Sequence, residues 1–148
     1  MIEAIMVVVI SGIIFAIAGP RVTEANERAA LRASRQVLQS AFAAARAAAI
    51  QKGQVATLTL TGTTATVTVL SGLNSEEVRV LGPLSFDESL GTTVTPLGGA
   101  PSTVTYDVRG MASPRLDMIT RYEISRPTYK DTVCVTETGF LLRKDCQL

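Results

Sequence analysis

The sequence contains no histidine and no tryptophan, and only two of its 148 residues are cysteine. Without histidine the commonest general base and metal ligand are missing. Two cysteines are too few for the usual four-ligand zinc site. Asp87 and Glu88, like Glu76 and Glu77, are adjacent acids on expected loops. Sequence neighbours rarely converge as a working acid/base pair, and no nucleophile with a base beside it can be named. Charge of one sign is missing too. Fourteen Lys and Arg stand against 13 Asp and Glu, a formal net charge of +1. No strong field for nucleic acid or acidic lipid follows from that balance. Neither Asn26 nor Asn74 opens an Asn-x-Ser/Thr glycosylation sequon. These absences describe a chain that is not an enzyme and is expected to carry no cofactor and no metal.

What is present divides into two compositions. Residues 1–52 are Ala-rich and contain glycine or proline only at Gly12, Gly19 and Pro20. That is helix composition. After Gly53 the chain turns Thr/Val-rich, with short alternating runs broken by Gly, Pro, Asn and Ser, which is strand composition with turn punctuation. Gly53 follows Lys52 where a helix C-terminal glycine belongs, and the lysine charge suits the negative helix end. The expected domains are therefore a helix over 1–53 and a β head over 54–148.

The helix itself is expected in two parts. MIEAIMVVVISGIIFAIAGP, residues 1–20, is apolar around its whole circumference, with Glu3 as its one charge. The uncharged run from 4 to 18 is marginal for a hydrocarbon core of ~30 Å unless Met1 and Ile2 contribute. It does not read as a secretory signal, since no basic residue precedes the apolar run and no small-x-small site leads into the β region. From 21 to 53 the pattern becomes amphipathic: Leu31, Leu38, Phe42, Ala45 and Ala49 make one stripe, with Arg28, Arg32, Arg35 and Arg46 mostly off it. An unbroken helix of this length runs to about 75 Å at ~1.5 Å per residue, more than so small a domain can bury. Its first half must be covered by lipid or by other copies. Glu3 is either a carboxylate at the headgroup boundary, favoured by the positive helix N-terminus, or a buried group that needs a cationic partner. Pro20 removes an amide donor and implies a bend or loosening.

Ile2-Glu3, a Val-rich stretch, Gly12 and Pro20 together resemble the N-terminal segment of mature type IV pilins and type II secretion pseudopilins. That family shows a Phe/Met-Thr-Leu-Ile-Glu head, a glycine midway down the apolar run and a kinking proline, and all three fall here at matching spacing. In the family two further residues precede the position matched by Met1, and a prepilin peptidase removes a short basic leader and methylates the new terminus. The resemblance implies an α+β pilin fold: a long N-terminal helix, kinked near Gly19 and Pro20, carrying an antiparallel β-sheet or sandwich head. It makes Glu3, Gly12 and Pro20 assembly residues, with Glu3 paired to the terminal ammonium of a neighbouring subunit. Residues 1–20 become the transmembrane and later filament-core segment, and 21–53 the half packed on the head. The implied partners are copies of the chain in a helical filament or other pilins, the inner membrane before assembly, the prepilin peptidase and an assembly platform. The implied place is the bacterial inner membrane for the precursor and the cell surface for the filament.

Strands are expected at 54–60 and 64–70 around Thr61-Gly62-Thr63, then at 78–81, near Val94, and at 103–108, 118–124, 132–136 and 140–142. The stretches AFAAARAAAIQKGQVATLTL (41–60), VTYDVRG (104–110) and CVTETGFLLRKDC (134–146) resemble the group holding secretion pseudopilin H and the fimbrial competence pilin T. That group implies a C-terminal disulfide, here Cys134 with Cys146. It also raises DNA binding through a Gly-Arg-x-Arg loop. The matching place reads Thr138-Gly139-Phe140-Leu141, leaving Arg143 and Lys144 as weak contact candidates beside Glu137 and Asp145. DNA affinity rests on clustered phosphate contacts, so DNA is not the expected partner. The expected role is a structural filament subunit, the alternative a minor pilin or pseudopilin that primes or tips a secretion or competence pilus.

Overall fold

The structure, a computed structural model, describes residues 2–71, 76–113, 120–136 and 138–142. One helix, α1 (Ile2–Lys52), occupies the first third of the sequence. Glu3 in its first turn and Lys52 in its last complement the helix dipole. It ends where Gly53 adopts a left-handed φ of 60°, and the amide of Gln54 turns back to the carbonyl of Ala49 at 3.2 Å. This is the six-to-one bond by which a C-terminal glycine satisfies a free helix carbonyl. The helix continues through both Gly12 and Pro20, so the kink expected near Gly19 and Pro20 does not break it. A proline forfeits a single amide bond, and the turns on either side hold the path.

Nine strands follow among the described residues. β1 (Ala56–Leu60), β2 (Thr64–Ser71) and β3 (Glu76–Ser85) form an antiparallel meander. A single turn of helix, α2 (Asp87–Leu90), leads to β4 (Thr93–Leu97). β5 (Thr103–Tyr106) and β6 (Ala112–Ser113) come next, then β7 (Thr120–Ser125), β8 (Lys130–Val135) and β9 (Leu141–Leu142). They form two antiparallel sheets, ordered β3-β2-β1-β5-β6 and β4-β7-β8-β9. The expected hairpin closes at Thr61-Gly62-Thr63, with the Thr61 amide on the Thr64 carbonyl at 3.0 Å.

The alternation read from the sequence decides which face is inside. Ala56, Leu58 and Leu60 of β1 and Ala65, Val67 and Val69 of β2 are buried, while the intervening threonines are part-exposed. The α1 stripe of Leu31, Leu38, Phe42, Ala45 and Ala49 is buried with them, and α1 packs against strands of both sheets. Each large apolar side chain so covered stabilises the head by about 1.5–3 kcal/mol. Phe42 meets Tyr122 with ring centroids 5.8 Å apart, and the Tyr122 hydroxyl donates to the Pro101 carbonyl at 2.8 Å.

Several details depart from the sequence reading. β3 extends through Gly82 and Pro83, which read as a strand end, because β2 and β3 shift register there and keep pairing. Gly82 has a φ of 96°, and a β-carbon on it would stand 2.6 Å from the Ala65 carbonyl, so glycine is required. Asp87 and Glu88 lie in α2 and not in a loop, and Glu76 and Glu77 begin β3. Pro96 and Leu97 extend the strand expected near Val94, and both belong to β4.

Candidate functional site

The free half of α1 is the first candidate surface. Among the described residues burial on α1 begins at Leu31. Before it, Met6, Val7, Val8, Val9, Ile10 and Ile13 are 55% to 71% exposed. Glu3 is exposed on the same segment, and beyond its chain neighbours and its own helix backbone Gly12 has no described atom within 4 Å of the position a β-carbon would take. Pro20 lies within the helix. Among the described residues no helix is long and apolar enough to cross a membrane.

The boundary between free and packed helix is polar. Arg28 forms an ion pair with Glu24 one turn earlier, and its guanidinium lies 5.9 Å from the Tyr129 ring centroid. Both partners of the pair are largely exposed, so solvent screening leaves it little weight in stability. Arg35 reaches Asp131 of β8 at 3.8 Å and donates to the Leu142 carbonyl at 3.1 Å, tying α1 to the last hairpin. Alongside, a shallow groove of about 610 Å³ runs between Ala29, Ala30 and Ala33 of α1 and the α2 residues Asp87 and Glu88, with Arg126 at its edge.

The terminal hairpin is the second candidate surface. Its turn is held by the Thr136 amide on the Phe140 carbonyl at 2.9 Å and the Gly139 amide on the Thr136 carbonyl at 2.8 Å. Gly139 has a φ of 77°, and a β-carbon on it would stand 2.6 Å from the Tyr106 hydroxyl. Phe140, in the place of the first motif arginine, is 62% exposed. Arg46 donates to the Thr138 carbonyl at 3.3 Å and holds its guanidinium 5.6 Å from the Phe140 ring centroid. Gln39, Ala43, Ala47 and Ile50 of α1 complete a cleft of about 260 Å³ beside that pair. No local pattern signals this contact, since Arg46 reads as a solvated helix residue and Phe140 lies 94 positions away.

Cys134 is buried on β8 opposite Leu142 and is disulfide-bonded. Cys146, Arg143 and Lys144 lie outside the described residues. Tyr106 and Tyr122 are both fully buried. Burial first, and Tyr122 second, push the Tyr106 hydroxyl well above its ordinary 10.0, against a smaller pull from Arg46. Burial alone pushes Tyr122 up to about 12. Asp107 is held below its ordinary 3.8 chiefly by the Met111 amide, which it accepts at 2.8 Å while closing the loop before β6. Among the described residues no cluster of three or more His, Cys, Asp or Glu could hold a metal ion.

The fold aligns with solved structures. A crystal structure of the type IV minor pilin FimU of Pseudomonas aeruginosa aligns with a TM-score of 0.58 and 15% identity, over 81% of this chain and 92% of that one. A second crystal form of the same protein gives 0.57 and 11% identity, over 78% and 93%. No family model matches the sequence, and no curated protein matches it. The chain has the type IV pilin fold.

Proposed function

We propose that this chain is a structural subunit of an extracellular type IV pilus-like filament, polymerised through its N-terminal helix. The observation that supports the reading is the run of exposed apolar residues from Met6 to Ile13 on a helix whose other half belongs to the core of a pilin-fold head. Alone in water, each large side chain of that run costs about 1.5–3 kcal/mol of unrealised burial. A membrane or a bundle of identical helices removes the cost. Contacts between copies in such a bundle are head-to-tail, and a rotation that does not close produces an open filament.

In this reading residues 1–20 sit in the inner membrane before assembly and at the filament axis afterwards. Residues 21–53 lie on the head, and 54–148 form the outer sleeve. Glu3 sets the register of an incoming subunit through a charge pair, while Gly12 and Pro20 adapt the helix path. A bond from Cys134 to Cys146 ties down the chain end. A prepilin peptidase and an assembly platform serve the precursor, and the finished filament stands at the cell surface.

A second reading, a minor subunit that primes or tips the filament or a secretion pseudopilus, is favoured by FimU being a minor pilin. Shearing filaments from cells and quantifying their subunits by mass spectrometry tests both. A dominant signal supports the structural subunit, and a trace signal at constant ratio to another pilin supports the minor one. Confinement to the membrane fraction of filament-bearing cells overturns both.

A further inference from the structure

Arginines gather on one face of α1 just beyond its apolar run. Arg28 and Arg32 follow Arg21 at seven and eleven positions, with Ala25 at four, so all four residues share one side of the helix. The three arginines are exposed, and Glu24 compensates Arg28 alone. Among the described residues Arg21 and Arg32 form no ion pair. About 130° further round the helix, at ~3.6 residues per turn, Ala29, Ala30 and Ala33 floor the groove rimmed by α2. Asp87 and Glu88 on that rim are exposed and likewise form no ion pair among the described residues. Arg126 at the groove's edge offsets one of them at most. The groove is thus acidic and the arginine face basic, and both lie at the same height along α1.

Within one copy the two surfaces cannot meet, because α1 itself stands between them. We propose that they meet between copies: the face bearing Arg21, Arg28 and Arg32 lies in the alanine-floored groove of a second copy, with its guanidiniums against Asp87 and Glu88. The alanines of the floor, and Ala25 on the incoming face, let the two helices approach to the usual 8–10 Å between axes. Guanidinium and carboxylate then form charge-assisted hydrogen bonds, which fix orientation as well as attraction. The exposed apolar residues from Met6 to Ile13, and Val22 after them, lead into this segment on the same continuous helix. Copies that bundle through that run bring their 21–33 segments side by side. Each copy uses one surface to bind and offers the other, so the contact repeats from copy to copy without closing.

The inference rests on the filament reading and names a lateral contact within it. Its test uses two variants of the full chain in cells that assemble filaments. Asp87→Lys with Glu88→Lys makes a chain basic on both surfaces, and Arg21→Glu with Arg32→Glu makes one acidic on both. Each alone is expected to lower filament yield roughly tenfold or more, since like charges then face each other at every contact. Expressed together, each supplies the charge the other lacks, and most of the yield should return in filaments holding the two chains in equal amounts. Parental yield from either variant alone, or no recovery on co-expression, overturns the contact. A second measurement leaves every charge in place: Ala25→Cys with Ser89→Cys puts one thiol on each surface, both at exposed sites. A short bifunctional thiol reagent applied to these filaments should link copies into a ladder, while either single variant gives nothing above a dimer. Filaments of the double-cysteine chain without a ladder overturn the contact even if a charge variant fails to fold. Absence of the parent chain from all filaments sinks the filament reading, and the contact falls with it.

Discussion

The hydroxyls of Ser34 on α1 and Thr92 before β4 share a buried hydrogen bond of 2.6 Å. Ser34 also contacts the Ala30 carbonyl at 2.9 Å and Thr92 the Phe86 carbonyl at 3.3 Å, so two protons serve three contacts across the seam between helix and sheet. Ser34→Ala should destabilise the protein by about 1–2 kcal/mol. Urea unfolding of the full chain in detergent reads the change, and an unaltered midpoint would show that the seam adds nothing.

Gly139 and Tyr106 give a second expectation. A β-carbon at 139 would lie 2.6 Å from the Tyr106 hydroxyl, and the φ of 77° disfavours any L side chain. Gly139→Ala should therefore cost roughly 1–2 kcal/mol for backbone strain, with the clash added. Tyr106→Phe removes a buried hydroxyl that has no hydrogen-bond partner among the described residues and should be nearly neutral alone. Combined, the two should couple by about 1 kcal/mol in a double-mutant cycle, because the second removes the clash made by the first. Strict additivity refutes the contact.

The buried tyrosines set an alkaline limit. Tyr122 is raised from 10.0 to about 12 by burial, and Tyr106 is raised further. The unfolded chain loses these protons first, so it binds fewer protons than the native state above its own pKa. Stability is full below pH 10 and falls as pH rises through the native value of Tyr122, with Tyr106 prolonging the decline. Tyr122→Phe should flatten part of that slope. Tyrosinate absorbance against pH, compared with circular dichroism, tests it: ionisation well before unfolding would contradict burial as the cause.

Removing the acid at position 3 separates membrane insertion from assembly. Glu3→Ala takes a charge out of the apolar helix, so membrane association should hold or strengthen while filament yield drops by roughly tenfold or more. Fractionation of membranes and sheared filaments measures both, and normal filament yield would exclude Glu3 from assembly.

Thiol chemistry tests the chain end. With Cys134 and Cys146 joined, alkylation of the unreduced protein labels neither, and reduction should lower stability by roughly 3 kcal/mol for a loop this short. Labelling of both without reduction would exclude the bond.

How much of this was readable beforehand follows from how local each determinant is. The α1 stripe from Leu31 to Ala49, the cap at Gly53 and the hairpin at Thr61-Gly62-Thr63 each depend on spacing within a few turns of chain, and each lies where the pattern puts it. β3 was read short because Gly82 and Pro83 carry the same local signal whether they end a strand or form an irregularity within one. The burial of Tyr106 and Tyr122 and the meeting of Arg46 with Phe140 depend on which strands the topology brings beside α1. No short window of sequence contains that information. The free helix surface, in contrast, was legible in composition alone.

One helix serves both as the exposed tether and as a wall of the head's core, with no loop between the two roles. A tensile force applied near Glu3 along the axis of α1 therefore arrives at Leu31, Leu38, Phe42, Ala45 and Ala49 as sliding of the whole stripe past the sheets. Contacts loaded in parallel resist together, whereas a force peeling one strand from an edge would break them in turn. Resistance to a load is therefore expected to be greater along the axis of α1 than across it.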